Sequence, residues 1–106
     1  MTDLPAPVQR LIDASNSGDR AAFVDSFTAD GAVDDWGRTF GGRDAIAGWS
    51  DAEFIGKQVT LEVTSAEQTG DVSTVIAQVG GNGFNGPSTF AFTVSGELLS
   101  LMTIRA

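Results

Sequence analysis

The chain has 106 residues, 14 of them acidic and 6 basic, for a formal net charge of −8. That surplus repels phosphate backbones and anionic membrane surfaces, and the cations Arg10, Arg20, Arg38, Arg43, Lys57 and Arg105 are too scattered to form a basic stripe, so neither nucleic acid nor membrane is an expected partner. With no His, Cys or Tyr in the chain, disulfides, thiolate metal sites and the usual zinc and iron ligand sets are excluded, and no metal or cofactor is expected.

A chain of this length buries roughly two thirds of its unfolded surface, enough for one domain, expected over residues 1–106. The start, Met1-Thr2-Asp3-Leu4-Pro5, has neither a basic nor an apolar leader segment, and no apolar run is long enough to span a bilayer, so a cytoplasmic location is expected.

Val8, Leu11, Ile12 and Ser15 recur at helical spacing and predict a first helix from about Pro5 to Asn16, with its prolines at the tolerant end. Gly18 suits a left-handed helix close, and Asp19 the N-cap of a second helix whose Phe23, Val24 and Phe27 share a face. A short strand, Ala32 to Trp36, follows Gly31, with a return through Arg38 to Phe40. A third helix is expected from Arg43 to Trp49, then one further turn from Ser50 to Glu53, which have capping-box spacing.

From Val59 the period becomes two: Val59, Leu61 and Val63 alternate with Thr60, Glu62 and Thr64. Strands are then expected at 72–79, 88–95 and 98–105, Gly70-Asp71 and Ser95-Gly96 marking turns. Helices followed by a meander make an α+β arrangement, with one sheet face on the helices and the other free to meet a second subunit. Residues 81–86, Gly-Asn-Gly-Phe-Asn-Gly, match G-x-G-x-x-G, yet they lead through Pro87 into a strand, where the dinucleotide fingerprint requires a helix. They read as a glycine-rich hairpin loop with Phe84 at its tip, over a pocket mouth or a dimer contact.

Four segments in succession carry a family resemblance: Asn16-Ser17-Gly18-Asp19; Phe23 and Phe27 before Asp30-Gly31; Ala32-Val33-Asp34-Asp35; and Gly42-Arg43-Asp44-Ala45-Ile46. In order and spacing the chain resembles the nuclear transport factor 2-like superfamily, in particular its bacterial SnoaL-like and ketosteroid-isomerase-like members. The resemblance implies a cone-shaped, curved, mostly antiparallel sheet wrapped around three N-terminal helices, the cystatin-like α+β barrel, with a pocket inside the cone. It also implies homodimerisation through the outer sheet face. The function implied is binding of a small molecule in a hydrophobic pocket, with isomerase, cyclase or hydrolase chemistry on a polyketide- or steroid-like ligand. The alternative is a non-catalytic dimeric carrier or accessory module.

Carried over by position, the resemblance makes Asp35 the general base, since it falls just after the V-x of the first strand. Strand alternation sends Asp34 and Asp35 to opposite sides, so at most one of them enters the cone. Trp36, Phe27 and Trp49 are expected to shield that carboxylate and line the ligand site, with Arg38 nearby. The alternative for Asp35 is a surface or turn carboxylate paired with Arg38 or Arg43. Where ketosteroid isomerases place their two oxyanion donors, the best-matching residues are Leu11 and Phe90, which line a pocket but cannot donate a hydrogen bond. Asp35 would then act with Arg38, a Ser or Thr hydroxyl, water, or a carboxylate such as Asp51 or Glu53.

Overall fold

A computed structural model describes residues 4–106, so the first three residues of the expected domain lie outside it. Its elements run α1 (Ala6–Ser17), α2 (Arg20–Asp25), β1 (Phe27–Asp35), β2 (Arg38–Gly41), α3 (Arg43–Glu53), a single 3-10 turn (Ile55–Lys57), β3 (Thr60–Thr69), β4 (Val72–Gly80), β5 (Gly86–Ser95) and β6 (Leu98–Arg105). The strands form one six-stranded sheet in the order β2-β1-β6-β5-β4-β3. Every neighbouring pair is antiparallel except β1 and β6, which run parallel. This is the expected α+β fold, and the sheet remains open, with β2 and β3 as its edges.

The corner between the first helices follows from two residues. Gly18 takes φ 69°, a left-handed close that costs a Cβ-free residue nothing. Asp19 then caps α2, its carboxylate accepting from the Ala22 amide at 3.1 Å. Two residues before Gly18, Asn16 reaches across to β3: its Oδ1 accepts from the Leu61 amide at 2.6 Å and its Nδ2 donates to the Leu61 carbonyl at 3.0 Å.

Two element boundaries differ from the sequence reading. Helix α2 stops at Asp25 and Phe27 opens β1, because the Leu99 amide donates to the Ser26 carbonyl at 2.8 Å and draws the chain into register with β6. Helical spacing at Phe27 is thus overridden by a tertiary ladder. Conversely, α3 runs unbroken through Glu53. Ile46, Trp49 and Ser50 are buried on one face, and the Ser50 hydroxyl accepts from the Ile55 amide at 3.4 Å beyond the helix end, so Ser50 serves the C-terminus of α3 and starts no new turn.

The core lies between the helices and the concave face of the sheet. Phe23 is its hinge, with ring centroids at 5.6 Å from Phe27, 5.4 Å from Phe54 and 6.4 Å from Trp49. Across the sheet, Val75, Phe90, Ile104 and Asp35 are successive cross-strand partners, and so are Ser73, Phe92, Met102 and Val33. Both rows belong to the inner face, where burial alternates along β4 and β5. No helix among the described residues is long and apolar enough to cross a membrane.

Two glycines around the end of α3 make a matched test of this packing. A Cβ on Gly48 would meet nothing within 4 Å, whereas one on Gly56 would lie 1.6 Å from the Asp51 carbonyl oxygen. Gly48→Ala should therefore raise stability by up to about 1 kcal/mol through helix propensity. Gly56→Ala should lower it by about 1–3 kcal/mol through overpacking. Urea unfolding midpoints of the two variants should move in opposite directions.

Candidate functional site

The β1–β2 connection has only two residues, Trp36 and Gly37, both at positive φ (53° and 90°), the geometry of a tight hairpin that matches strand twist. It fixes the side chains on either side of it. Asp34 faces out: its Oδ1 accepts from the Gly37 amide at 2.8 Å and its Oδ2 pairs with Arg105 at 3.1 Å. Asp35 faces in, with its side chain 15% exposed.

Asp35 lies at the wall of a cavity of about 360 Å³. Trp36 and Ile104 flank it on the sheet side. Trp49, Glu53 and Phe54 come from the end of α3, and Lys57 from the 3-10 turn. Ser88 and Phe90 on β5, with Val59 and Val79, complete the apolar interior, and Gly80, Gly83 and Phe84 bring the glycine-rich loop to the mouth. Trp36 and Phe84, each 60% exposed, are the large aromatics left open to solvent there.

The polar corner of the cavity is a small network. The Trp49 indole donates to Asp35 Oδ2 at 3.1 Å, and Arg38 Nη2 donates to the same oxygen. Arg38 forks onto Glu53 through Nη2–Oε1 at 2.8 Å and Nη1–Oε2 at 3.0 Å, while its guanidinium carbon lies 5.6 Å from the Phe40 ring centroid. Both hydrogen bonds to Asp35 fall on Oδ2, and Oδ1 accepts none among the described residues.

The seven candidate residues from the sequence separate into three groups. Asp35, Trp36, Trp49 and Phe90 line the cavity. Arg38 stands at the rim and touches the site only through its carboxylate partners. Leu11 and Phe27 are fully buried core residues that do not line it: Leu11 lies on the buried face of α1 and Phe27 packs against Phe23. Of the partner carboxylates considered, Asp51 is held on the outside by Arg20 at 2.7 Å, whereas Glu53 joins the network. Arg43 is committed to the Phe27 carbonyl, at 3.0 and 2.6 Å.

Sequence reasoning did not single out Lys57, Val59, Val79, Ser88 or Ile104 as lining residues. For Val79, Ser88 and Ile104 the signal was the inward phase of each strand, which requires the order of the strands; Lys57 and Val59 lie on the 3-10 turn and just before β3. Ser88 supplies a hydroxyl donor that a count of ionisable groups passes over. Among the described residues no group of three or more carboxylates gathers as a metal site would require.

Arg38 holds the Glu53 carboxyl below its ordinary value of 4.5, chiefly through their hydrogen bonds. Arg105, in the same way, holds Asp34 below its ordinary 3.8. A carboxyl depressed in the folded state contributes stability that is complete above its unfolded pKa and is lost as pH falls through the folded one. Thermal melts from about pH 6 to about pH 3 should therefore decline less steeply in Glu53→Gln than in the parent chain. The Asp34 share of the decline should persist in the variant.

Comparison with known proteins agrees with this fold. A family model described as a SnoaL-like domain matches residues 8–102. A solved structure from Sinorhizobium meliloti, assigned by its name to the polyketide cyclases, is 28% identical with a TM-score of 0.89, covering 97% of this chain and 96% of its own. A ketosteroid isomerase-like protein from Catenulispora acidiphila, solved in complex with trimethylamine, is 27% identical with a TM-score of 0.83, covering 98% and 87%. A nuclear transport factor 2-like protein from Cytophaga hutchinsonii shares the fold at 11% identity, with a TM-score of 0.81 and coverage of 97% and 90%. A search of curated protein sequences returns no match. With the family model spanning nearly all the described residues around an inward-facing Asp35 and a cavity of small-molecule size, the chain belongs to the SnoaL-like domain family of the nuclear transport factor 2-like superfamily.

Proposed function

We propose that this protein binds a small hydrophobic molecule, polyketide- or steroid-like in size, in the cavity beside Asp35, and that any chemistry performed there is proton transfer through Asp35. The observation that carries the reading is a carboxylate held at one oxygen by Trp49 and Arg38, its other oxygen without a hydrogen bond among the described residues, at the wall of a mostly apolar cavity. An anchor of this kind selects orientation, while the apolar walls supply affinity. The names of the Sinorhizobium and Catenulispora neighbours support a small-molecule cavity.

Trp36 adds a second support. A bulky residue at φ 53° costs about 1–2 kcal/mol compared with an extended backbone, and strain of this kind gathers at ligand clamps. Placing an indole there is reasonable if the ring is needed as a wall. For proton abstraction next to a carbonyl, Asp35 Oδ1 takes the proton, and the Ser88 hydroxyl or the Lys57 ammonium is the donor available for the developing oxyanion. Neither donor is a buried pair dedicated to that task, so a non-catalytic carrier is the second reading; Leu11 and Phe90, which stand at the donor positions implied by the resemblance, favour it.

The same reading includes a homodimer through the outer sheet face. Ile76 is 40% exposed there, and Thr74, Thr89, Ala91 and Thr103 are only partly buried, a broad face of small apolar and threonine side chains.

Mass analysis of ligand extracted from the purified protein tests the central claim, and an empty cavity whose Trp36 and Trp49 fluorescence responds to no hydrophobic ligand would count against it. Where turnover is found, Asp35→Asn should reduce it by about two to four orders of magnitude and Asp34→Asn should leave it nearly unchanged. Equal activity of the two variants removes Asp35 as the base. Light scattering at micromolar concentration should return twice the mass of one chain, and a monomer there would refute the dimer.

A further inference from the structure

The carboxylates at the polar corner of the cavity already pair with an organic cation at the rim. The guanidinium of Arg38 bonds Asp35 from the rim, lies over the Phe40 ring and is anchored independently by its two-pronged contact with Glu53. The Glu53 contact leaves Arg38 a complete ion pair if its bond to Asp35 is given up. That arrangement suits a site in which an internal cation stands in until an external one arrives. Next to the carboxylate, Trp36 is exposed at the mouth with Phe84 also lining it, and the faces of such rings attract alkylammonium groups. The whole chain, at −8, draws cations toward itself.

We infer that the ligand of this cavity carries a tertiary or quaternary alkylammonium group, which displaces Arg38 from Asp35 and is held between that carboxylate and the aromatic rim. The inference rests on the proposed small-molecule cavity and narrows its ligand class. A tertiary ammonium donates its N–H to Asp35 Oδ1, whereas a quaternary one relies on charge and ring faces alone.

The test compares choline with its uncharged carbon isostere, in which a quaternary carbon replaces the nitrogen, using calorimetry and indole fluorescence on the full chain. Choline should bind tighter by about tenfold or more, the scale of a desolvated cation–π contact. Asp35→Asn should cut that preference several-fold, leaving only the share due to the ring faces. Arg38→Gln, an exchange at an exposed rim position, should strengthen choline binding several-fold, because it removes the internal competitor. Equal binding of choline and isostere, or weaker choline binding in Arg38→Gln, overturns the inference. The neutral dye Nile red separates the levels: if the dye enters the cavity and choline does not, the ammonium inference fails and the cavity reading stands. If neither enters, the cavity reading fails and takes the inference with it.

Discussion

The inward position of Asp35 depends on the parallel ladder between β1 and β6. The two strands come from opposite ends of the chain, and their pairing sets Asp35 against Ile104 and Val33 against Met102. Antiparallel pairing then carries those rows onward to Phe90 and Phe92. Because side chains alternate with a period of two, a slip of one residue in the β1–β6 register would turn Asp35 outward and bring Asp34 into the cone. The close passage at Gly31, where a Cβ would stand 3.1 Å from the Leu99 carbonyl oxygen, falls within the irregular part of this ladder between Phe27 and Ala32. Bare backbone is what lets the two strands meet there.

Local patterns in the sequence carried the helices and the meander well because each was decided by neighbours in sequence. The left-handed close at Gly18 and the cap at Asp19 both depend on contacts a few residues apart. Phe27 was misplaced because its partner, β6, acts across the fold, and Ser50 because its hydroxyl is used by the Ile55 amide beyond the helix end. The site divides along the same line. Asp35, Trp36 and Trp49 could be named from a motif and a strand phase, whereas Ser88 and Ile104 reach the cavity only once β6 has been inserted between β1 and β5. Leu11 was named by positional matching, yet the face of α1 that bears it is consumed by the core.

The arginines explain why scattered cations leave no basic surface. Arg20 joins α2 to α3 through Asp51, Arg105 holds Asp34, Arg43 caps the Phe27 carbonyl and Arg10 reaches the Glu97 carbonyl. Each ties elements distant in sequence, and each is spent on an internal partner. Arg38 differs in having two carboxylates, one within the cavity and one at its edge. Exposed ion pairs contribute little stability, so the value of this one lies in how it orients Asp35.

Asn16 has a further consequence, for the edge of the sheet. By bonding both backbone groups of Leu61, its carboxamide imitates one residue of a seventh strand along β3. An open sheet offers unpaired amides and carbonyls to any passing extended chain, a route to aggregation. Helix α1 delivers a single-residue counterfeit of that chain and lies where the real one would have to run. The Asn of the Asn-Ser-Gly-Asp corner thus acts as a stopper at one point: it occupies the outer edge of β3 at Leu61, where an added strand would otherwise pair.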